Sequence, residues 1–352
     1  MATTAGTLLM IARDRNHRPF RMITGALTVL ALATACTGHA SAPAAAPERT
    51  ASVRAASPSG RSIAQQAAVL GTAGTYQVSE QRLTFVEAAH TGPAGQYLAR
   101  RALVTDIRFP RVPRPARGPF PLILFAPGFM QCDSPYADLL DAWASAGYVV
   151  AAVNFPRTDC RVGAAAYEPD LVNQPGDMSY ALTRLLALSS QPGDVLSGML
   201  SGHRIAAAGQ SDGGDTVAAL AASTCCTDHR LAAVAVLSGA EWPPMPGRYF
   251  PGGAPPMLFV QGSADTVNPP WTSLQLYSAD RARARYYLDL FGATHTVPYW
   301  GTNRVERVVA RVTLAFFDRY VLGDAGALAT MTRDGNIPGA AALVSGGRLP
   351  PS

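Results

Sequence analysis

Ser211 lies in Gly209-Gln210-Ser211-Asp212-Gly213, between the apolar run at residues 204–208 and a helix-like stretch at 216–222. A Gly-x-Ser-x-Gly on a strand-to-helix turn presents a serine for nucleophilic attack: the glycines leave room for a sharp bend, and the hydroxyl stands clear of the backbone. That hydroxyl becomes a nucleophile once a neighbouring base takes its proton. The chain has six histidines, so the base can be sought by elimination. His17 and His39 fall in the N-terminal leader and the segment after it. His90 follows the first expected strand with no chemistry near it. His203 and His229 precede strands, at the sheet edge opposite the serine. His295, in Phe291-Gly292-Ala293-Thr294-His295, follows the C-terminal end of a late strand and is the expected base.

An acid must orient that imidazole and stabilise its cation. Asp265, in Gln261-Gly262-Ser263-Ala264-Asp265, follows a strand ending near Val260, at the same end of the sheet. Glu241 competes for the role, whereas Asp289 reads as a strand residue and Asp280 as part of a helix face. A tetrahedral intermediate also needs donors for its oxyanion. The expected pair is the backbone N–H of Asp212, at the start of a helix, and that of Phe129, in Pro127-Gly128-Phe129-Met130, where Gly128 permits close approach.

The elements that must hold these groups alternate strand and helix, as a mostly parallel sheet flanked by helices demands. Strands are expected at 81–88, 101–109, 122–126, 148–153, 204–208, 231–237, 257–260 and 286–291. Helices are expected at 136–146, 177–189, 216–222 and 303–321. Residues 239–256 are too few for a large lid domain, which leaves the cleft open.

The N-terminus reads as an export signal. Arg13, Arg15, Arg18 and Arg21 against Asp14 give residues 1–35 a net +3, so +2 of the chain's +5 lies elsewhere. An apolar core at 22–35, short for a membrane span, ends in Ala33-Thr34-Ala35-Cys36. Small-x-small followed by cysteine resembles a bacterial lipobox, which implies a lipid on Cys36 and a membrane anchor; plain secretion after Ala35 or Ala40 is the alternative. The expected organisation is a leader at 1–36, a flexible tether and lead-in at 37–75, the catalytic domain at 76–325 and a C-terminal extension at 326–352. Cys132, Cys160, Cys225 and Cys226 remain, an even number that in an exported chain points to disulfides. Four cysteines allow three pairings; Cys132 and Cys160, both following strands at one end of the sheet, are the expected pair. All 29 basic residues are arginine, which excludes Schiff-base lysines, Ser-Lys dyads and a P-loop. The arginines are scattered rather than clustered with aromatics, which gives nucleic-acid binding no support.

Ala126-Pro127-Gly128-Phe129, the turn around Ser211, Gly239-Ala240-Glu241-Trp242, Gly262-Ser263-Ala264-Asp265 and Gly292-Ala293-Thr294-His295 together resemble the lidless, cutinase-like polyester hydrolases of the α/β-hydrolase superfamily. Related chlorophyllase-like and platelet-activating-factor-acetylhydrolase-like esterases share the architecture. The resemblance covers about residues 76–325. It implies an α/β-hydrolase fold with its Ser…Asp…His order, and it places Phe129 and Trp242 beside the scissile ester. Tyr299 and Trp300 are further candidates for the cleft wall. Such hydrolases usually carry methionine directly after the nucleophile, where this chain has Asp212. The expected function is a serine carboxylic-ester hydrolase acting on small or polymeric esters without metal or organic cofactor. An acyltransferase on the same three residues, or a surface lipoprotein that only binds a ligand, stays open, and a peptidase is disfavoured because residues for a cap domain are lacking.

Overall fold

The computed structural model describes Gly74, residues 76–112 and residues 119–349. Cys36, the export signal and the tether lie outside the described residues. Nine strands form one sheet in the order β1-β4-β6-β5-β7-β8-β9-β10-β11. They are β1 (Val78–Glu87), β4 (Arg101–Pro110), β5 (Phe120–Ala126), β6 (Val149–Asn154), β7 (Leu200–Gln210), β8 (Ala233–Leu237), β9 (Met257–Gly262), β10 (Arg285–Leu290) and β11 (Ala341–Ser345). The six strands from β6 to β10 run parallel, and β1, β4 and β11 are antiparallel to their neighbours. The short β2 (His90–Thr91) and β3 (Tyr97–Leu98) pair separately. This is the expected mostly parallel architecture.

The parallel strands are continuous apolar runs because both faces are covered. In β5, Ile123 and Phe125 enter the core beneath α1 (Ala137–Ser145), while Leu122, Leu124 and Ala126 enter the opposite core, beneath α2 (Gln174–Ser189) and α3 (Asp212–Ala222). Helices α4 (Pro270–Ala279) and α5 (Arg304–Phe317) complete the two layers, α4 with the second core and α5 with the first. Asn303 caps α5 with its side-chain oxygen, which accepts from the N–H groups of Val305 and Glu306 at 2.9 Å each. Among the described residues no helix is long and apolar enough to cross a membrane.

Two expectations change. Residues 326–352 do not all lie beyond the domain: they carry α6 (Ala327–Gly335) and β11, which pairs with β10 from Tyr286↔Ser345 to Leu290↔Ala341. Met331 and Ala341 are buried in the first core, so this segment closes the sheet edge. Strand β7 begins at Leu200, earlier than the apolar run indicates, because Leu200 already pairs with Phe120 across an irregularity in the β5 ladder. Residues 239–256 form a loop with a single bridge, Ser223↔Tyr249, and no helix. The expected Cys132–Cys160 disulfide is present, and Cys225 is joined to Cys226.

Candidate active site

β7 ends at Gln210 and α3 starts at Asp212, which leaves Ser211 alone to make the turn. Its φ of 57° and ψ of −126° lie in a region that side-chain-bearing residues seldom adopt. Such strain persists only when the surroundings impose it, and here two glycines do. A Cβ on Gly213 would run into the Ala126 carbonyl, and one on Gly209 into the Gly213 carbonyl. Strand β5, strand β7 and helix α3 therefore meet at van der Waals distance beneath the serine.

The structure brings Ser211, His295 and Asp265 into one line of hydrogen bonds. His295 Nδ1 lies 2.7 Å from Asp265 Oδ2, and His295 Nε2 lies 2.9 Å from Ser211 Oγ. An ionised carboxylate only accepts, so the imidazole proton sits on Nδ1 and the lone pair of Nε2 faces the serine hydroxyl. Asp265 is 3% exposed. Its Oδ1 accepts from the N–H groups of Val267 at 2.9 Å and Asn268 at 3.0 Å, and Oδ2 also accepts from Gln261 Nε2 at 3.0 Å. Burial pushes this carboxyl up, yet the His295 bond and those two N–H groups outweigh it and hold Asp265 below the usual carboxylate range. Glu241, the competing acid, is exposed and accepts from Gln275 at 3.2 Å. Asp280 caps the end of α4 rather than lying on its face, accepting from Ala282 N–H at 2.8 Å. Asp289 lies within β10. His203 and His229 are exposed, and the His90 ring contacts the Ala88 carbonyl at 3.0 Å.

Near the serine, the N–H groups of Phe129 and Asp212 donate to no other residue among the described ones. The loop carrying Phe129 is fastened on both sides. Gly128 N–H donates to Tyr136 Oη at 3.2 Å, and Met130 N–H donates to the Thr158 carbonyl at 2.7 Å. The Cys132–Cys160 bridge joins the same two segments. Met130 itself has a φ of 57°, so the chain turns back directly after Phe129.

A serine on a strained strand-to-helix turn, a buried Asp-His pair beside it and those two N–H groups can together attack a carbonyl and hold the resulting oxyanion. A family model described as PET hydrolase-like matches residues 107–330, from the second half of β4 into α6. The chain belongs to the PET hydrolase-like family. It is an ester hydrolase of the α/β-hydrolase type. No curated protein matches the chain.

Two features of the site's surroundings bear on what it can hold. Trp242 is half-buried and packs beside α3 against Leu171, Ala219 and Met245. Tyr299 does not line the cleft: it is fully buried, with its hydroxyl 2.8 Å from Ser238 Oγ and donating to the Val260 carbonyl at 3.2 Å. A ring whose phenol is satisfied inside the core has no face left for a ligand. Trp300 is half-buried, edge-on to the Tyr136 ring.

The second feature is Asp212. Its side chain is buried, and its Oδ2 has no partner among the described residues. Burial first, then the charge of Glu168, pushes this carboxyl up to about 7, against some relief from its own N–H. One turn along α3, Asp215 accepts from the Ala240 N–H and is also raised by burial. The helix N-terminus favours negative charge by about 0.3–1 kcal/mol when exposed, and desolvation exceeds that.

The consequence for stability has a definite sign. Below the ordinary value of 3.8 the Asp212 carboxyl is neutral in both the folded and unfolded chains. Between 3.8 and about 7 only the unfolded chain ionises it, so stability falls across that window and levels off above it. Asp212→Asn removes this titration. The variant should gain about 2–4 kcal/mol relative to wild type on going from pH 4 to pH 8. Denaturant melts at the two pH values measure it; a pH-independent difference would rule out a desolvated carboxyl.

Proposed function

We propose that the chain is an exported serine carboxylic-ester hydrolase that works through an acyl-enzyme intermediate. The observation that carries this reading is the continuous line Asp265–His295–Ser211, with the nucleophile on a strained turn beside those two N–H groups. His295 Nε2 takes the hydroxyl proton as Ser211 Oγ attacks the ester carbonyl. The N–H groups of Phe129 and Asp212 donate to the oxyanion, and Asp265 stabilises the imidazolium. The tetrahedral intermediate collapses as the imidazolium protonates the leaving alcohol. Water then attacks the acyl-enzyme with His295 again as base, which frees the acid and regenerates Ser211.

Trp242, in the loop at 239–256, and the ring of Phe129 form the cleft wall in this reading, and that loop is too short to cover them. Small and polymeric esters then share one open cleft. Export draws support from the Ala33-Thr34-Ala35-Cys36 segment and from the two disulfides, which persist in oxidising compartments. In the lipoprotein form Cys36 carries the lipid and tethers the domain to a membrane.

The test uses p-nitrophenyl acetate, butyrate, octanoate and palmitate, followed by mass analysis of protein treated with a fluorophosphonate. Hydrolysis should occur, with one phosphonyl adduct on Ser211 and loss of activity in proportion to labelling. Hydrolysis of every ester by fully labelled protein would end the serine mechanism. The chain-length profile assigns the acyl preference.

A further inference from the structure

Gln210 occupies a position that the Gly-x-Ser-x-Gly pattern leaves free, yet its side chain is 1% exposed and bonds to two other segments beside the candidate nucleophile. Its Oε1 accepts from Tyr136 Oη at 2.7 Å. Its Nε2 donates to the His295 carbonyl at 3.2 Å and lies 3.2 Å from His295 Nε2. The same Tyr136 hydroxyl accepts from Gly128 N–H at 3.2 Å, and a Cβ on Gly128 would sit 2.9 Å from Gln210 Oε1. One amide therefore touches three separate segments: the loop of Phe129, the entry to α1 and the loop of His295.

The orientation of that amide follows from its partners. The His295 carbonyl can only accept, so it requires the NH2 end. Tyr136 has a single hydroxyl proton and already accepts from Gly128, so it requires an acceptor, which is Oε1. Burial pushes the Tyr136 phenol up to about 12, which keeps it a donor across the working range. The ring is held in place by Phe125, edge-on at 4.9 Å between centroids, and by Trp300 at 6.2 Å. Tyr136 is thus a fixed point in the core, and the amide carries that fixity to the histidine loop.

We propose that Gln210 is a positioning residue, anchored by Tyr136, that sets the His295 loop against Ser211 and the Phe129 loop. This rests on the serine-hydrolase reading above. The bond to the His295 carbonyl is independent of the protonation of the imidazole, so it holds the loop through both halves of the cycle. The second amide N–H points at the same Nε2 lone pair as the serine hydroxyl, which limits the ring to a narrow range of positions. A misplacement of about 1 Å at a reacting group can cost about 10²-fold in rate.

The test measures kcat and KM for p-nitrophenyl butyrate from pH 4 to 8 for wild type, Gln210→Met, Gln210→Glu and Tyr136→Phe, each checked by thermal melting. Gln210→Met keeps the bulk without the polar atoms; its kcat should fall about 10-fold or more with KM within about twofold. Tyr136→Phe should lower kcat in the same way and by less. Gln210→Glu replaces the donor with an acceptor at neutral pH and restores an O–H donor when protonated. Its kcat relative to wild type at the same pH should therefore recover as pH falls, which a merely structural role would not produce. Wild-type kcat in folded Gln210→Met and Tyr136→Phe, a rise in KM alone, or a flat ratio for Gln210→Glu would each overturn the proposal. Should Gln210→Met fail to fold, the other two variants decide. Failure of the reading beneath it looks different: wild type itself would hydrolyse no ester and take no phosphonyl label.

Discussion

Replacing Ser211 with alanine should cut ester turnover by about 10⁶-fold and leave the protein folded. In the proposed mechanism the effect is large because the Ser211 hydroxyl forms the acyl bond, and without it His295 and Asp265 have no proton to move. What survives is the background left by the Phe129 and Asp212 N–H groups, about 10³–10⁴ over water in comparable sites. Stability gives an independent check on the geometry. Alanine at φ 57° and ψ −126° is as strained as serine, so its melting temperature should match wild type. Glycine carries no such penalty, and Ser211→Gly should be as inactive but more stable by about 1–3 kcal/mol. Both quantities come from p-nitrophenolate release and denaturant melts. A Ser211→Ala protein with one hundredth of wild-type activity would remove serine from the mechanism, and a Ser211→Gly protein no more stable than wild type would remove the strain.

The sequence was most readable where physics is local. A buried parallel strand is an apolar run, so residues 122–126 announced β5; a turn that admits only glycine on both sides announced the serine. Elimination reached His295 because a histidine's position relative to strand ends follows from chain order alone. The contacts that span the molecule stayed hidden. Gln210 fills a free position in its motif, and its partner Tyr136 lies 74 residues away. The pentapeptide cannot say that this amide is buried between a phenol and a carbonyl. β11 stayed hidden for a similar reason: Ala341–Ser345 is a short apolar run whose strand character comes from pairing with β10. Asp212 was legible as an acid at a helix start, where the dipole favours ionisation. Its neutral tendency arises from burial and, next, from the charge of Glu168, which lies far from it in sequence. Tyr299 misled because it follows His295 closely in the chain while its side chain turns into the core.

Asp265→Asn should lower kcat by about 10⁴-fold with little change in the melting temperature. The carboxylate is held in place through Oδ1, by the Val267 and Asn268 N–H groups, so an asparagine oxygen would be drawn to that side. Its NH2 group then faces His295 Nδ1, which can satisfy it only by giving up its proton and accepting. The imidazole proton moves to Nε2, the atom that must take the serine's proton, and the base is lost although every atom stays nearly where it was. The native carboxyl is held below its ordinary range by those same bonds, so Asp265 stays ionised throughout the useful pH range and does not itself shape the pH profile there. Glu241→Gln is the matched control: that carboxylate is exposed and bonded to Gln275, so its loss should change kcat by less than about twofold. Equal or larger damage from Glu241→Gln would transfer the orienting role to the acid that follows β8. A small effect of Asp265→Asn would mean that the loop alone orients the ring, with the carboxylate contributing only packing.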